Sequence, residues 1–458
     1  MPCTKVNLRA KSDRRFIRSA YRSNRFILAE ITAPHLHTDP TNAGQRKRPV
    51  VNLGFVLDRS GSMATEKLSL AKQAVEESLG RLGAEDRFSV VVYDDQVDVV
   101  IPTTRATPEA KRDALAFLAR IDARNQTNLG EGWLRGAEQV ALNLQQETVS
   151  RVLLLTDGLA NVGITDRDAL ARHAGELRTR GVQTSTFGVG ADFDEVLLQQ
   201  MATFGGGNFY YVENGRQIAD YITSEVGEAL DVVARDVTLN VVTPSGVTVE
   251  SLTPVPFEPT GPGRTAVFLG SLVAEQVVQV VLRLNFPLGD LGRETGAVVS
   301  LSLDDASQSL TWEYADDAAN DKQERDAEVD RAVASIFAAR ARQEATQLNR
   351  AGNFPAAQAA LAAVAKRIRT YAGRDSMMRG LVAALEQESR EVATPMAPAA
   401  AKQMYFAGYA AARTRNIDGP PSRSRASEPP ADTSSHLTIW MVGWSHEGDH
   451  CPVGRRAL

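Results

Sequence analysis

The chain has 458 residues, 43% of them hydrophobic and 23% charged, with a net charge of −5 and a pI near 5.8. That length calls for two or three domains with sizeable cores, and the weak acidity excludes a global electrostatic case for nucleic acid or anionic membrane. The two cysteines, Cys3 and Cys451, exclude a disulfide framework, no apolar run reaches a membrane span, and no apolar signal core opens the chain, so a cytoplasmic protein is expected.

Residues 1–24 read as a basic arm, with Lys5, Arg9, Lys11, Arg14, Arg15, Arg18 and Arg22 against the single acid Asp13. A solvated arm is the expectation, with organellar targeting or an electrostatic contact as alternatives. Residues 25–48 supply a strand, Arg25–Ala33, and a polar link, His35–Arg48.

Over residues 49–230 apolar strands alternate with amphipathic helices. Strand Val50–Leu57 leads to a helix from about Glu66 to Leu82, with Leu68, Ala71, Val75, Leu79 and Leu82 at helical spacing. Phe88–Tyr93 and Val97–Ile101 pair as a hairpin around Asp94-Asp95-Gln96, where Asp94, Asp95 and Asp98 read as a solvated turn. Helices at Pro108–Ile121 and Gly130–Leu144 precede strand Val152–Thr156, a helix at Arg167–Arg180 and strand Gln183–Val189. A helix at Phe193–Phe204, strand Asn208–Val212 and a helix at Gln217–Leu230 complete the set. The fold class is therefore α/β, a doubly wound, mainly parallel sheet whose ligands sit beyond the carboxyl ends of the strands.

Residues 231–316 carry short strands separated by Pro- and Gly-containing loops (TPSG, PTGPG, PLGD) and read as a β-sandwich. The strand at Arg25–Ala33 is a candidate to join it, which makes the α/β domain an insertion. Residues 317–412 are helical and Ala-rich; Val329, Ala332, Val333, Ile336 and Phe337 form an apolar stripe, and the turn at Asn349–Pro355 leads to a second helix. One such hairpin is tetratricopeptide-like but establishes no repeat, so bundle packing is expected. Residues 413–458 read as a flexible linker, rich in Arg, Ser and Pro, and a tail.

The chemistry concentrates where strand Val50–Leu57 ends. Asp58, Ser60 and Ser62 form Asp-x-Ser-x-Ser, and Thr127 and Asp157 close two further loops of the same rim. Hydroxyl and carboxylate oxygens suit Mg²⁺, which demands a near-octahedral hard-oxygen shell. Taken alone, Ser60 or Ser62 reads as a helix cap; with Thr127 and Asp157 on one rim, the five residues read as a cation site.

Asp58-x-Ser60-x-Ser62, Thr127 and Asp157-Gly158 resemble the metal-ion-dependent adhesion site of the von Willebrand factor type A family, in order and in placement. Phe187-Gly188-Val189-Gly190 and the segment Gly205–Val212 are similar to it as well. The resemblance covers about Val50 to Leu230. It implies that Ser60, Ser62 and Thr127 bind Mg²⁺ or Mn²⁺ directly, that Asp58 and Asp157 act mostly through water, and that a partner's Glu or Asp completes the shell. Asn125 and Gln126 stand where family members often have glycines. The order of domains resembles intracellular bacterial members of the superfamily and the inter-alpha-trypsin-inhibitor heavy chains, which are secreted.

Rival motifs are incomplete. Gly188-x-Gly190 lacks the third glycine of a dinucleotide fingerprint, and neither a phosphate-binding G-x-x-x-x-G-K-[ST] loop nor a G-x-S-x-G elbow occurs. His446, Asp449, His450 and Cys451 in the tail fit no standard metal spacing. The expectation is a non-enzymatic protein-recognition module, with no nucleic-acid partner. An assembly factor working with a separate MoxR-type ATPase is the alternative, and a metal-dependent hydrolase ranks below both.

Overall fold

A computed structural model describes residues 5–35, 48–64, 66–124, 126–303, 306–416 and 420–423. Both cysteines, the link at 36–47 and the tail cluster at His446–Cys451 lie outside the described residues.

The N-terminal stretch corrects the expectation of a solvated arm. It contains β1 (Asn7–Ser12) and β2 (Phe16–Arg18), followed by β3 (Ser23–Thr32). Val6, Leu8 and Ala10 are buried between exposed Asn7 and Arg9, a period-two alternation that suits a strand with one face on a core. β1 pairs antiparallel with β3 from Asn7↔Thr32 to Ser12↔Ile27. Its cations find acids far along the chain: Arg9 and Lys11 meet Glu328, Arg15 meets Glu313, and Arg18 meets Asp317 and Asp321. The basic run is an internal fastening.

The α/β domain follows as β4 (Val50–Asp58), α1 (Glu66–Arg81), β5 (Arg87–Tyr93), β6 (Val97–Arg105), α2 (Pro108–Leu118) and α3 (Leu129–Ala141). Then come β7 (Thr148–Thr156), α4 (Arg167–Thr179), β8 (Gln183–Val189), α5 (Glu195–Phe204), β9 (Gly206–Val212) and α6 (Gln217–Leu230). The sheet runs β6-β5-β4-β7-β8-β9, parallel except for the antiparallel edge strand β6. Its central strands are buried along nearly their whole length, because α1, α2 and α6 cover one face and α3, α4 and α5 the other. β7 begins four residues before its expected start, since the polar Arg151 is buried there and paired with Glu225 of α6.

Two glycines set the depth of α3. A Cβ on Gly136 would stand 2.1 Å from Val56 Cγ2 of β4, and one on Gly132 would stand 2.5 Å from the Tyr93 ring of β5. The helix therefore lies directly on the sheet, and its N-terminal loop is carried to the end of β4.

The sandwich is built from β10 (Val232–Val242), β11 (Thr248–Ser251), β12 (Phe257–Gly261), β13 (Arg264–Val273), β14 (Val277–Phe286), β15 (Glu294–Leu301) and β16 (Ser307–Ala315), together with β1 to β3. One sheet runs β1-β3-β14-β11 and the other β12-β13-β10-β15-β16-β2. Their inner faces meet in one core that includes Ile27, Ile31, Leu239, Val267, Leu282, Phe286 and Trp312. β12 occupies a segment that reads as a loop; it is an edge strand, where Pro259 is tolerated. β3 pairs with β14 from Ser23↔Phe286 to Thr32↔Val277, so the α/β domain is inserted between β3 and β10 of the sandwich.

The C-terminal helices are α7 (Asp317–Lys322), α8 (Ala327–Arg350), α9 (Phe354–Ala372), α10 (Ser376–Glu391) and α11 (Pro398–Ala412). α9 packs between α8 and α10, while α11 packs on α8. α8 lays Val329, Val333, Ile336 and Ala339 on the outer face of the β3–β14 sheet, against Phe26, Leu28 and Val281. α11 sets Phe406 and Tyr409 edge-on to Phe209 of β9, with ring centroids 5.8 and 5.7 Å apart. Among the described residues no helix is long and apolar enough to cross a membrane.

Candidate metal centre

The parallel sheet sends three chain ends to one rim. β4 ends in Asp58, β7 in Thr156 followed by Asp157, and the segment before α3 carries Thr127. Asp58, Ser60, Thr127 and Asp157 are each buried to at least 96%, whereas Ser62 is exposed.

Asp58 organises its own loop. One carboxylate oxygen accepts the Ser60 amide at 2.8 Å, and the other accepts the Thr156 hydroxyl at 2.7 Å. Burial pushes the Asp58 carboxyl up to about 6; the Ser60 and Thr156 hydrogen bonds oppose that shift, and the negative charge of Asp157 adds to it. A buried carboxylate in that condition gains from a nearby cation.

Ser60 bears on the cap reading of the motif. It stands at the N-cap of the short 3-10 turn Gly61–Met63, yet its side chain makes no capping hydrogen bond. Its hydroxyl lies 3.2 Å from the Ser62 hydroxyl, and Ser62 donates to Asp157 Oδ1 at 2.6 Å. Ser62 thus reaches the neighbouring loop, while Ser60 stays with Ser62 and leaves the 3-10 turn without a side-chain cap.

Thr127 is brought in by reciprocal bonds to the loop after β7. Its amide donates to Asn161 Oδ1 at 3.1 Å, and the Asn161 amide donates to the Thr127 carbonyl at 3.3 Å. A Cβ on Gly158 would stand 3.3 Å from Thr127 Oγ1, so glycine there keeps the hydroxyl uncrowded beside Asp157. The structure thus brings all five expected residues to one rim. Together they offer three hydroxyls and two carboxylates, a set of hard oxygens of the kind divalent cations take. Among the described residues no group of three or more His, Cys, Asp and Glu could hold a metal ion.

The expected solvated turn at Asp94–Asp98 is corrected by what surrounds Asp94, which is fully buried. Its Oδ2 accepts Arg59 Nε at 3.1 Å and Arg124 Nε at 2.5 Å, and its Oδ1 accepts the Gln96 amide at 2.7 Å. Burial acts to raise its pKa, but the Gln96 amide, Arg124 and Arg59 together hold it below the ordinary value. Backbone bonds complete the clamp: Arg124 N to Arg59 O at 2.8 Å, and Asn128 N to Asp94 O at 2.7 Å. The hairpin turn ties the serine loop to the threonine loop. Spacing alone did not identify Asp94, Thr156, Asn161 or Lys67, whose ammonium sits 2.5 Å from Asp157 Oδ2.

The family model of the von Willebrand factor type A domain matches residues 52–224. The uncharacterized protein YfbK of Escherichia coli K12 is 31% identical over 191 residues, covering 41% of this chain and 33% of YfbK. Human inter-alpha-trypsin inhibitor heavy chain H4 is 28% identical over 162 residues, covering 34% of this chain and 17% of its own length. The chain therefore spans a third or less of these two relatives. A von Willebrand factor type A structure from Catenulispora acidiphila aligns with a TM-score of 0.66 at 17% identity, over 92% of this chain and 98% of that one. The ArnB paralog VWA2 from Sulfolobus acidocaldarius aligns with a TM-score of 0.60 at 16% identity, over 92% and 100%. These two likenesses extend in fold beyond the α/β domain to the sandwich and helices.

Proposed function

Because residues 52–224 form a von Willebrand factor type A domain, we propose that this chain is a cytoplasmic, non-enzymatic protein that recognises a protein partner through a divalent cation at the Asp58–Asp157 rim. Ser60, Ser62 and Thr127 hold the ion directly, while Asp58 and Asp157 supply charge and orient the hydroxyls and waters. A Mg²⁺ or Mn²⁺ with so few directly bound anions supplies an electrophilic position that a Glu or Asp carboxylate of a partner completes.

The observation that carries this reading is the orientation of the two serines. A serine at a turn start that leaves the cap unmade and lies beside a second hydroxyl, which bonds the buried carboxylate of the loop after β7, supports a ligand-binding role over a capping one. Hydrolysis has less support. The two described histidines, His35 and His173, pair with Glu275 and Glu176.

Titration of the full chain with Mn²⁺ tests the reading, free ion being counted from its paramagnetic resonance. Saturable binding is expected for the wild type and a loss of at least about tenfold in affinity for Ser60→Ala/Ser62→Ala. A partner retained on the immobilised protein in Mg²⁺ should be released by EDTA and absent from the serine variant. Equal recovery in all three samples overturns the cation-dependent model. A co-purifying ATPase among the EDTA-sensitive partners makes the chain an assembly factor.

A further inference from the structure

Lys67 occupies a position that its own helix opposes. It is the second residue of α1, inside the first turn, where the helix dipole favours anions and disfavours an ammonium. Its Nζ is nonetheless held 2.5 Å from Asp157 Oδ2, while Ser62 takes Oδ1 at 2.6 Å. The Asp157 side chain is fully buried and that of Lys67 is 28% exposed. A flexible stem thus reaches in from the solvent side to a carboxylate that cannot reach out. The tip passes Gly190, where an added Cβ would lie 3.6 Å from Nζ. Arg59, the cation within the Asp-x-Ser-x-Ser loop itself, is turned away to Asp94 and Asp98. Lys67 delivers the positive charge to the site, and it does so from a partly exposed side chain.

We propose that Lys67 is a tethered competitor for divalent cations: its ammonium offsets the Asp157 charge on which the ion draws, and the lysine keeps the affinity of the site low. This inference rests on reading the rim as a cation site. Without the ammonium, Asp157 keeps its bond from Ser62 and loses the positive charge beside it. One unit charge a few ångströms from a divalent ion alters its affinity about tenfold even at high dielectric. The consequence is a site in which the lysine has to be displaced before the ion is bound firmly.

The test compares Mn²⁺ dissociation constants, from the resonance signal of the free ion, for the full-length wild type, Lys67→Met, Lys67→Gln, Lys67→Arg and Ser60→Ala/Ser62→Ala. Both neutral variants should bind about tenfold more tightly, and Lys67→Arg, which keeps the charge, should stay within about threefold of wild type. Two neutral variants of different shape guard against one that fails to fold, and thermal unfolding of each verifies the fold. Unchanged or weaker binding in folded Lys67→Met or Lys67→Gln, with wild-type binding still lost in the serine variant, overturns the role of Lys67 and leaves the cation site standing. Absence of saturable binding in every protein overturns both.

Discussion

Asp94 accepts hydrogen bonds from Arg59 on the serine loop and Arg124 on the threonine loop, so two loops of the site share one buried anion. Asp94→Ala removes that anion and leaves the Arg59 guanidinium, itself 8% exposed, with Asp98 as its remaining carboxylate. The expected cost is about 3 kcal/mol, read as a fall in the urea midpoint, with weaker Mn²⁺ binding although no metal ligand is altered. At this scale the site was half legible. Asp58, Ser60, Ser62, Thr127 and Asp157 stand out because small oxygen-bearing residues at strand ends have a spacing that can be read. Asp94 does not, because an acid in a three-residue polar turn looks the same whether it faces water or two arginines brought from 30 and 35 residues away. Lys67 was hidden for a similar reason, its partner lying 90 residues on.

At the scale of elements, α3 couples packing to the site. Its N-terminal residues follow Thr127 directly, and its depth on the sheet depends on Gly136. Gly136→Val forces β-carbon and methyl groups into Val56, so the helix has to lift. The expected destabilisation is about 1–3 kcal/mol in urea unfolding, accompanied by a loss of Mn²⁺ affinity as Thr127 moves with the helix. The central α/β elements were readable because helical and strand periods alternate over long apolar segments. The N-terminal strands were obscured by charge: β1 carries Arg9 and Lys11 on its outer face, and composition alone cannot show that Glu328 lies opposite. β12 was obscured by its proline, which the sheet accepts at an edge.

Across the whole molecule, charged side chains join the three regions. Lys402 of α11 is 2% exposed, donates to the Phe193 carbonyl at 2.6 Å and pairs with Glu195 of α5 at 2.9 Å, while Arg350 of α8 also reaches Glu195. Burial, followed by the charge of Arg350, pushes the Lys402 ammonium down to about 7 from its usual 10.5. Below pH 7 both folded and unfolded chains carry the proton, and the full cost of burying it is present. Between about 7 and 10.5 the unfolded chain binds the proton and the native chain does not, so this residue's contribution to stability rises with pH and then levels. The stability of wild type relative to Lys402→Met should therefore shift in favour of wild type between about pH 6.5 and about pH 9.5, measured by urea unfolding. A flat difference would mean that Glu195 keeps the lysine charged throughout.

The insertion of the α/β domain between β3 and β10 also has a consequence in time. β3 cannot find β14 until about 240 further residues have been made, which at ribosomal rates of roughly 5–20 residues per second takes on the order of 10–50 s. During that interval the α/β domain can close its own sheet from neighbouring segments, while Phe26, Leu28 and Ile31 wait without their cover. The nascent chain thus carries a sticky segment ahead of the α/β domain, and its early risk during synthesis lies at β3 rather than at the rim of the parallel sheet.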